Sequence, residues 1–285
     1  MRLKVIFNLL RFRQYYKNLL IFLPLVFSHS LLDLPLWPSY FAGFALLCLI
    51  SSSSYIINDV IDAEKDKKNI EKKHRPIASG AIKPYQGIII AILLGMLTLV
   101  FSYRLSTIFF FYIIVLFFIS QMYTFFFKHH IYTDVIAIGV NFVLRSLSGY
   151  SFEPNLRVSP WLVLCAFFFA IFLSTGKRYG ELKFLKKASG HRATLLQYDE
   201  SQLESMLNIS STMFLTTGIL FPIFSDYGEK LIYITPIFVY IIFKFLFLIK
   251  SGSIIGRHAE KFYQDKGLLA AISLYAILAV ILIYT

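Results

Sequence analysis

Charge is what this sequence has least of. Only 15% of its 285 residues are Asp, Glu, Lys or Arg, while 57% are hydrophobic. A soluble domain of this size carries roughly 25% charged residues, so the deficit argues against water as the solvent of most of the chain. Cysteine is equally scarce. Cys48 and Cys165 both fall within apolar runs, which excludes a disulfide framework and a cysteine-based metal site. A cleaved signal peptide is not expected, because the apolar run at 19–27 contains Pro24 and is followed by FSHSLLD, without a small-x-small cleavage site. The sequence also lacks any obvious fixed-period repeat, low-complexity tract or linker.

What is present is a series of apolar runs, each near the roughly 20 residues that cross a ~30 Å hydrocarbon core. Hydropathy places about nine spans, near 15–33, 38–60, 84–103, 106–126, 132–151, 159–176, 206–224, 230–249 and 267–284. This predicts an all-α membrane protein, a single polytopic domain over residues 1–285. The amino terminus and the loops near 61–83, 127–131, 177–205 and 250–266 hold 23 of the 28 Lys and Arg residues. The opposite loops hold only Arg104, Arg157 and Lys230. By the positive-inside rule the first set is cytoplasmic, with the amino terminus inside and the carboxyl terminus outside an inner or plasma membrane. The formal net charge of +12 is therefore a topology signal. It does not point to nucleic acid, because no basic soluble domain exists to carry it.

Polar residues concentrate where the second span ends, in SSSSYIINDVIDAEKDKKNIEKKHRPIASG at 51–80. If the helix continues past Asn58, then Asp59, Asp62 and Asp66 share one face, with Asn58 beside Asp62 and Glu64 turned away. Three stacked carboxylates repel one another, and a hard divalent cation removes the repulsion. Mg²⁺ prefers carboxylate and phosphate oxygens and uses one or two carboxylates with water. A simple solvated helix end, paired to Lys65, Lys67 or Lys68, would need none of the flanking features. Those features are small serines, which permit close helix packing, and then HRPIASG, where Arg75 can grip phosphate and Pro76 and Gly80 shape a turn.

NDxxDxxxD followed by a basic loop and RPIASG resembles the first aspartate-rich motif of the UbiA superfamily of intramembrane prenyltransferases, and it stands at the matching place after the second span. The resemblance covers essentially the whole chain and implies a UbiA-type bundle of nine transmembrane helices. Typical members carry a second aspartate-rich motif after the sixth span. Here that place reads STGKRYGEL, with Lys177, Arg178 and Glu181 instead of two or three Asp. The amino terminus adds RFRQYYKN, where Arg13 and Lys17, and Gln14 and Asn18, are spaced i, i+4 as on one α-helical face.

Taken together, these segments resemble the polyprenyl-phosphate phosphoribosyltransferase branch. That likeness implies a Mg²⁺-dependent transferase of the cell envelope, moving 5-phosphoribose from phosphoribosyl pyrophosphate (PRPP) to a polyprenyl phosphate lipid. It implies Asp59, Asp62 and Asp66 as metal ligands, with Asp59, Asp62 and Asn58 catalytic. Arg13, Lys17, Asn58, Arg75, Arg145, Lys177, Arg178, Tyr179 and Glu181 are the expected substrate contacts. One carboxylate cluster with two basic clusters suits a donor having one metal-requiring pyrophosphate and one metal-free phosphate.

Two other functions compete. A prenyltransferase moving an isoprenyl chain from its diphosphate would call for the missing second motif. A transporter would place its charges near the midplane in broken helices, whereas these carboxylates gather at one mouth. Arg145 lies inside the fifth span, where burial demands a polar partner; Asp134, three turns earlier, is too far away to be it. His129, His130 and His191 spell no metal site.

Overall fold

The computed structural model describes residues 3–28, 30–153, 156–185, 197–225 and 228–285, so His191 lies outside the described residues. None of the described residues is in a strand. The chain opens with α1 (Leu3–Leu9) and a 3-10 helix (Phe12–Phe22). There follow α2 (Trp37–Ile61), α3 (Ala63–Lys68), α4 (Pro84–Leu105) and α5 (Thr107–Phe125). Then come α6 (Thr133–Ser148), α7 (Pro160–Leu185), α8 (Glu200–Ile223), α9 (Thr235–Lys250), α10 (Ile254–Arg257) and α11 (Lys266–Tyr284).

Seven helices among the described residues are long and apolar enough to cross a membrane: α2, α4, α5, α7, α8, α11, and α6 together with the 3-10 turn Gly149–Phe152 that continues it. The two remaining expected spans are interrupted. Ahead of the first, Arg11 adopts a left-handed conformation (φ 52°, ψ 46°); the span itself opens as a 3-10 helix, and only a short helix, Leu23–Phe27, continues it. In the eighth, a short helix (Gly228–Ile232) precedes α9, which starts at Thr235 with Pro236 in its first turn. At 1.5 Å per residue α9 is ~24 Å long, short of a ~30 Å hydrocarbon core.

The chain forms two compact units. The first comprises Met1–Pro24, Asp33–Lys128 and Leu144–Pro154; the second comprises Leu25–Leu32, His129–Val143 and Asn155–Thr285. In the first, the serine run of α2 is buried, and each hydroxyl is used. Ser52 donates to the Leu10 carbonyl at 2.8 Å, Ser53 to the Ala91 carbonyl at 2.8 Å, and Ser54 accepts from Gln121 at 3.3 Å. Small side chains thus let α2 pack closely on α1, α4 and α5, and the hydroxyls find acceptors where no water exists. Leu9, Ile56, Ile77, Ile82 and Ala91 form the apolar core beneath the 61–83 loop. In the second unit α7, α8, α9 and α11 pack around Phe172, Leu203, Leu207, Ile249 and Leu268.

Candidate active site

The sequence around Asp59 folds so as to keep its acids together across a break. Helix α2 ends at Ile61 and α3 begins at Ala63, with Asp62 between them at φ −89°, ψ 4°. The backbone bonds nevertheless hold helical spacing through the step. Asp62 N–H donates to the Asn58 carbonyl at 2.9 Å, and Asp66 N–H to the Asp62 carbonyl at 2.8 Å. Asp59 and Asp66 are buried, at 2% and 4% exposure, while Asp62 is half-buried.

Three cations balance the three carboxylates. Nη1 of Arg75 donates to Oδ1 of Asp59 at 2.9 Å and to Oδ2 of Asp66 at 2.6 Å, bridging two turns. Arg11 pairs with Asp59 from the other side, its Nε at 3.3 Å from Oδ2. Lys128, itself buried, places Nζ 2.8 Å from both oxygens of Asp62 and 3.2 Å from Oδ1 of Asn58. Burial pushes the Asp66 carboxyl above its ordinary value, against the opposing pull of Arg75 and Lys72.

Two backbone features aim these cations. Arg11 holds a left-handed conformation that costs a non-glycine residue ~1 kcal/mol, and its guanidinium lies 4.9 Å from the centre of the Tyr55 ring. Beyond Arg75, Gly80 takes φ +77° and Ile82 N–H returns to the Pro76 carbonyl at 3.0 Å, so HRPIASG closes as a turn.

Among the described residues no three acids or histidines stand close enough to enclose one metal ion. The donors form pairs instead, Asp59 with Asp66 and Asp62 with Asn58, each pair spanned by one basic group. All are hard oxygens, and each pair already accommodates a cation, so the residues fit a Mg²⁺ ion held by one or two carboxylates with water or phosphate completing its shell.

The second unit carries the other expected residues. Lys177 is exposed and stands 4.0 Å from Glu181. Arg178 is only 2% exposed, and its Nε donates to Oδ2 of Asp134 at 2.9 Å. Oδ1 of the same carboxylate accepts from the Tyr198 hydroxyl at 2.8 Å, which in turn accepts from the Tyr132 N–H at 2.8 Å. Burial, the largest influence, raises the Tyr198 phenol, and the Asp134 carboxylate adds to it. Tyr179 is buried in the apolar core, with the Lys183 ammonium 4.7 Å from its ring centre. At Gly180 a Cβ would come within 2.9 Å of the Arg257 side chain, so α10 packs closely on α7 there.

Arg145 is 5% exposed and donates from Nε to Oδ1 of Asn18 at 2.9 Å. Arg13 is exposed and Lys17 half-buried, its Nζ 5.8 Å from the Tyr16 ring centre. The expected shared α-helical face of Arg13 and Lys17 needs correction: this segment is a 3-10 helix, where i and i+3 eclipse and i+4 is rotated away. Three residues of these clusters escaped sequence reasoning, and a fourth, Asp134, was weighed only against Arg145. Arg11 and Lys128 gave only loop-charge signals, and Tyr198 gave none. Asp134 had a usable one, as the acid in the first turn of an apolar helix.

A sequence profile described as the UbiA prenyltransferase family matches residues 21–262. A decaprenyl-phosphate phosphoribosyltransferase of Mycolicibacterium smegmatis is 30% identical over 171 residues, covering 60% of this chain and 54% of that protein. The protein of the same name from Mycobacterium tuberculosis is 26% identical over 171 residues, covering 60% and 56%. The chain thus spans just over half the length of the curated relatives it matches. A UbiA homolog from Archaeoglobus fulgidus, solved bound to GPP and Mg²⁺, superposes with a TM-score of 0.70 at 17% identity, covering 97% of this chain and 96% of that one.

Proposed function

The chain belongs to the UbiA prenyltransferase family, and from that premise we propose that it transfers 5-phosphoribose from PRPP to a polyprenyl phosphate, releasing pyrophosphate in a Mg²⁺-dependent reaction. It is an integral membrane protein with several apolar membrane-length helices. The observation that carries the reading is the contrast between its two polar clusters. Asp59, Asp62 and Asp66 gather with three cations on one stretch of sequence, whereas the end of α7 brings Lys177, Arg178 and the single acid Glu181, with Arg178 bonded to Asp134 of α6 and 4.0 Å from Glu181. One metal-requiring pyrophosphate and separate metal-free phosphates match that contrast. The relatives named as decaprenyl-phosphate phosphoribosyltransferases support the same substrates.

Asp59 and Asp62, with Asp66 and Asn58 in support, would hold the metal, which when bound neutralises charge on the leaving pyrophosphate. Arg75, Arg11 and Lys128 now spend their charge on carboxylates. With those acids engaged elsewhere, their N–H groups are positioned to donate to pyrophosphate oxygens. Lys177 is the accessible cation of the second cluster and is read as a phosphate contact, with Arg178 holding the helix end in place. No general base is required of the protein, because a phosphate monoester is already anionic near neutral pH. Its oxygen attacks ribose C1 as the pyrophosphate departs. The charge asymmetry of the loops supports a cytoplasmic amino terminus and donor entry from the cytoplasm.

The test is turnover of the purified protein in detergent with Mg²⁺ and a polyprenyl phosphate, comparing labelled PRPP with an isoprenyl diphosphate. A phosphoribosyl lipid is expected from the first donor. Prenyl transfer to an aromatic acceptor, with no phosphoribosyl lipid formed, would overturn the substrate assignment while leaving the fold intact.

A further inference from the structure

We propose that Arg11 gates the acid cluster: it keeps Asp59 closed to a lone divalent cation and releases it only when a diphosphate takes its guanidinium. Metal and diphosphate then bind as a pair, each weakly without the other. The inference rests on the leaving-group assignment above and says how that site chooses its ligand.

The ion pairs are layered, and the two halves of the cluster are layered in opposite order. The side chains of Asp59 and Asp66 are 3% and 5% exposed, against 19% for Arg11 and 26% for Arg75. At the other pair the acid is the outer partner, with Asp62 at 18% and Lys128 at 6%. A cation arriving from water thus meets one open carboxylate and two that lie under guanidinium groups. Asp59 is closed at both oxygens. Nε of Arg11 donates to its Oδ2 at 3.3 Å and Nη2 to its Oδ1, where Nη1 of Arg75 donates as well at 2.9 Å. Mg²⁺ requires a near-octahedral shell of close oxygens, so an ion at Asp59 must displace the arginine fork.

Charge points the same way. Asp59, Asp62 and Asp66 face Arg11, Arg75 and Lys128, so the cluster is balanced and draws a lone divalent ion only weakly. Taking one partner from a buried pair leaves the other charge uncompensated, and that is the larger penalty. A metal that takes Asp59 by itself strands Arg11; a diphosphate that takes Arg11 by itself strands Asp59. A diphosphate that brings its metal satisfies both, because one pair is broken and two are made. Such coupling is reciprocal: the metal strengthens diphosphate binding by the same factor as the diphosphate strengthens metal binding.

Only the side chain has to move. The Leu10 carbonyl accepts from Ser52 at 2.8 Å, and the Leu10 N–H donates to the Ile6 carbonyl at 2.9 Å. The main chain entering Arg11 is thereby pinned to α1 and α2. The guanidinium stands 4.9 Å from the Tyr55 ring centre, a face that keeps hold of the cation while its anionic partner is exchanged.

Binding to the full chain in detergent tests the gate without turnover. Mn²⁺, read by the paramagnetic resonance of the free ion, is titrated alone; labelled pyrophosphate is dialysed with Mn²⁺ or with a chelator. In wild type, Mn²⁺ should strengthen pyrophosphate binding ~10–100-fold, the range implied by one charge-assisted pair. Arg11→Gln should bind Mn²⁺ alone ~10-fold more tightly than wild type, and its pyrophosphate should gain correspondingly less from the metal. A residue that only supports the fold would give no such rise. Arg11→Lys keeps the charge without the fork and should fall between the two. Arg11→Gly suits the left-handed backbone and carries the test if Arg11→Gln does not fold; the wild-type measurement needs no variant. Arg13→Gln removes a charge two residues away and should leave Mn²⁺ binding unchanged.

Equal pyrophosphate binding by wild type with and without Mn²⁺ overturns the gate, as does unchanged or weaker Mn²⁺ binding in the folded Arg11 variants. An equal rise in Arg13→Gln overturns it too, by reducing the effect to long-range charge. Both candidate donors carry a diphosphate, so the gate stands if these results hold while no phosphoribosyl lipid forms in the turnover assay. If that lipid forms and the binding signature is absent, the substrate assignment stands and the gate fails alone.

Discussion

The ammonium of Lys128 sits 2.8 Å from both carboxylate oxygens of Asp62, and Lys128 is the more buried of the two. This separates folding from catalysis. Asp62→Asn should lower turnover about a hundredfold by removing an expected metal ligand, roughly 3 kcal/mol of transition-state stabilisation. It should also lower the melting temperature, because it removes the negative charge opposite a buried ammonium. In Asp62→Asn/Lys128→Gln the stability should recover while activity does not. Recovery of both would mean that Asp62 serves only to neutralise Lys128.

Arg11 offers a second separation, between its backbone and its side chain. Its φ of 52° suits glycine better than alanine. Arg11→Gly and Arg11→Ala remove the same contacts to Asp59 and Tyr55, so both should lose activity to a similar degree. Arg11→Gly should nevertheless be the more stable by ~1 kcal/mol in thermal unfolding. Equal melting temperatures would show that the left-handed conformation is not maintained.

Helix propensity, apolar run length and loop charge made the membrane fold legible, because those signals are local and repeat along the chain. The acid cluster was legible for the same reason, since NDVIDAEKD keeps helical spacing over two turns, across the step at Asp62. The two interrupted spans were not. In the first, the irregular backbone begins at Arg11, ahead of the expected span, and Arg11 makes tertiary contacts to Asp59 and Tyr55 that no local pattern announces. The counter-cations were equally hidden. Lys128 and Asp62 are separated by 66 residues and Arg178 and Asp134 by 44, so no window of sequence contains either pair.

Asp134 carries the buried polar core of the second unit, holding Arg178 and Tyr198 at once. Asp134→Ala should cost ~3–5 kcal/mol, the range for leaving one partner of a buried ion pair uncompensated. Tyr198→Phe removes a hydrogen bond to a charged group and should cost ~1.5–3 kcal/mol. Because both residues bond the same carboxylate, the double variant should lose less than the sum. Additive losses in thermal unfolding would show that the three groups do not act as one network.

The membrane orientation rests on the distribution of Lys and Arg among loops, and the structure supplies accessible positions at which to test it. Lys73 and Val158 are both exposed, in loops expected on opposite sides. Cysteines introduced singly at these positions can be labelled in sealed cells with a membrane-impermeant maleimide, since Cys48 is buried and Cys165 half-buried within a membrane-length helix. Lys73→Cys should label only after the membrane is opened, and Val158→Cys should label in intact cells. The odd number of crossings between them follows from α4, α5, and α6 with its 3-10 continuation, each of membrane length. Labelling of both from one side would mean that one of those three helices does not cross, and the carboxylate cluster's assignment to the cytoplasmic face would have to be rebuilt from a different span count.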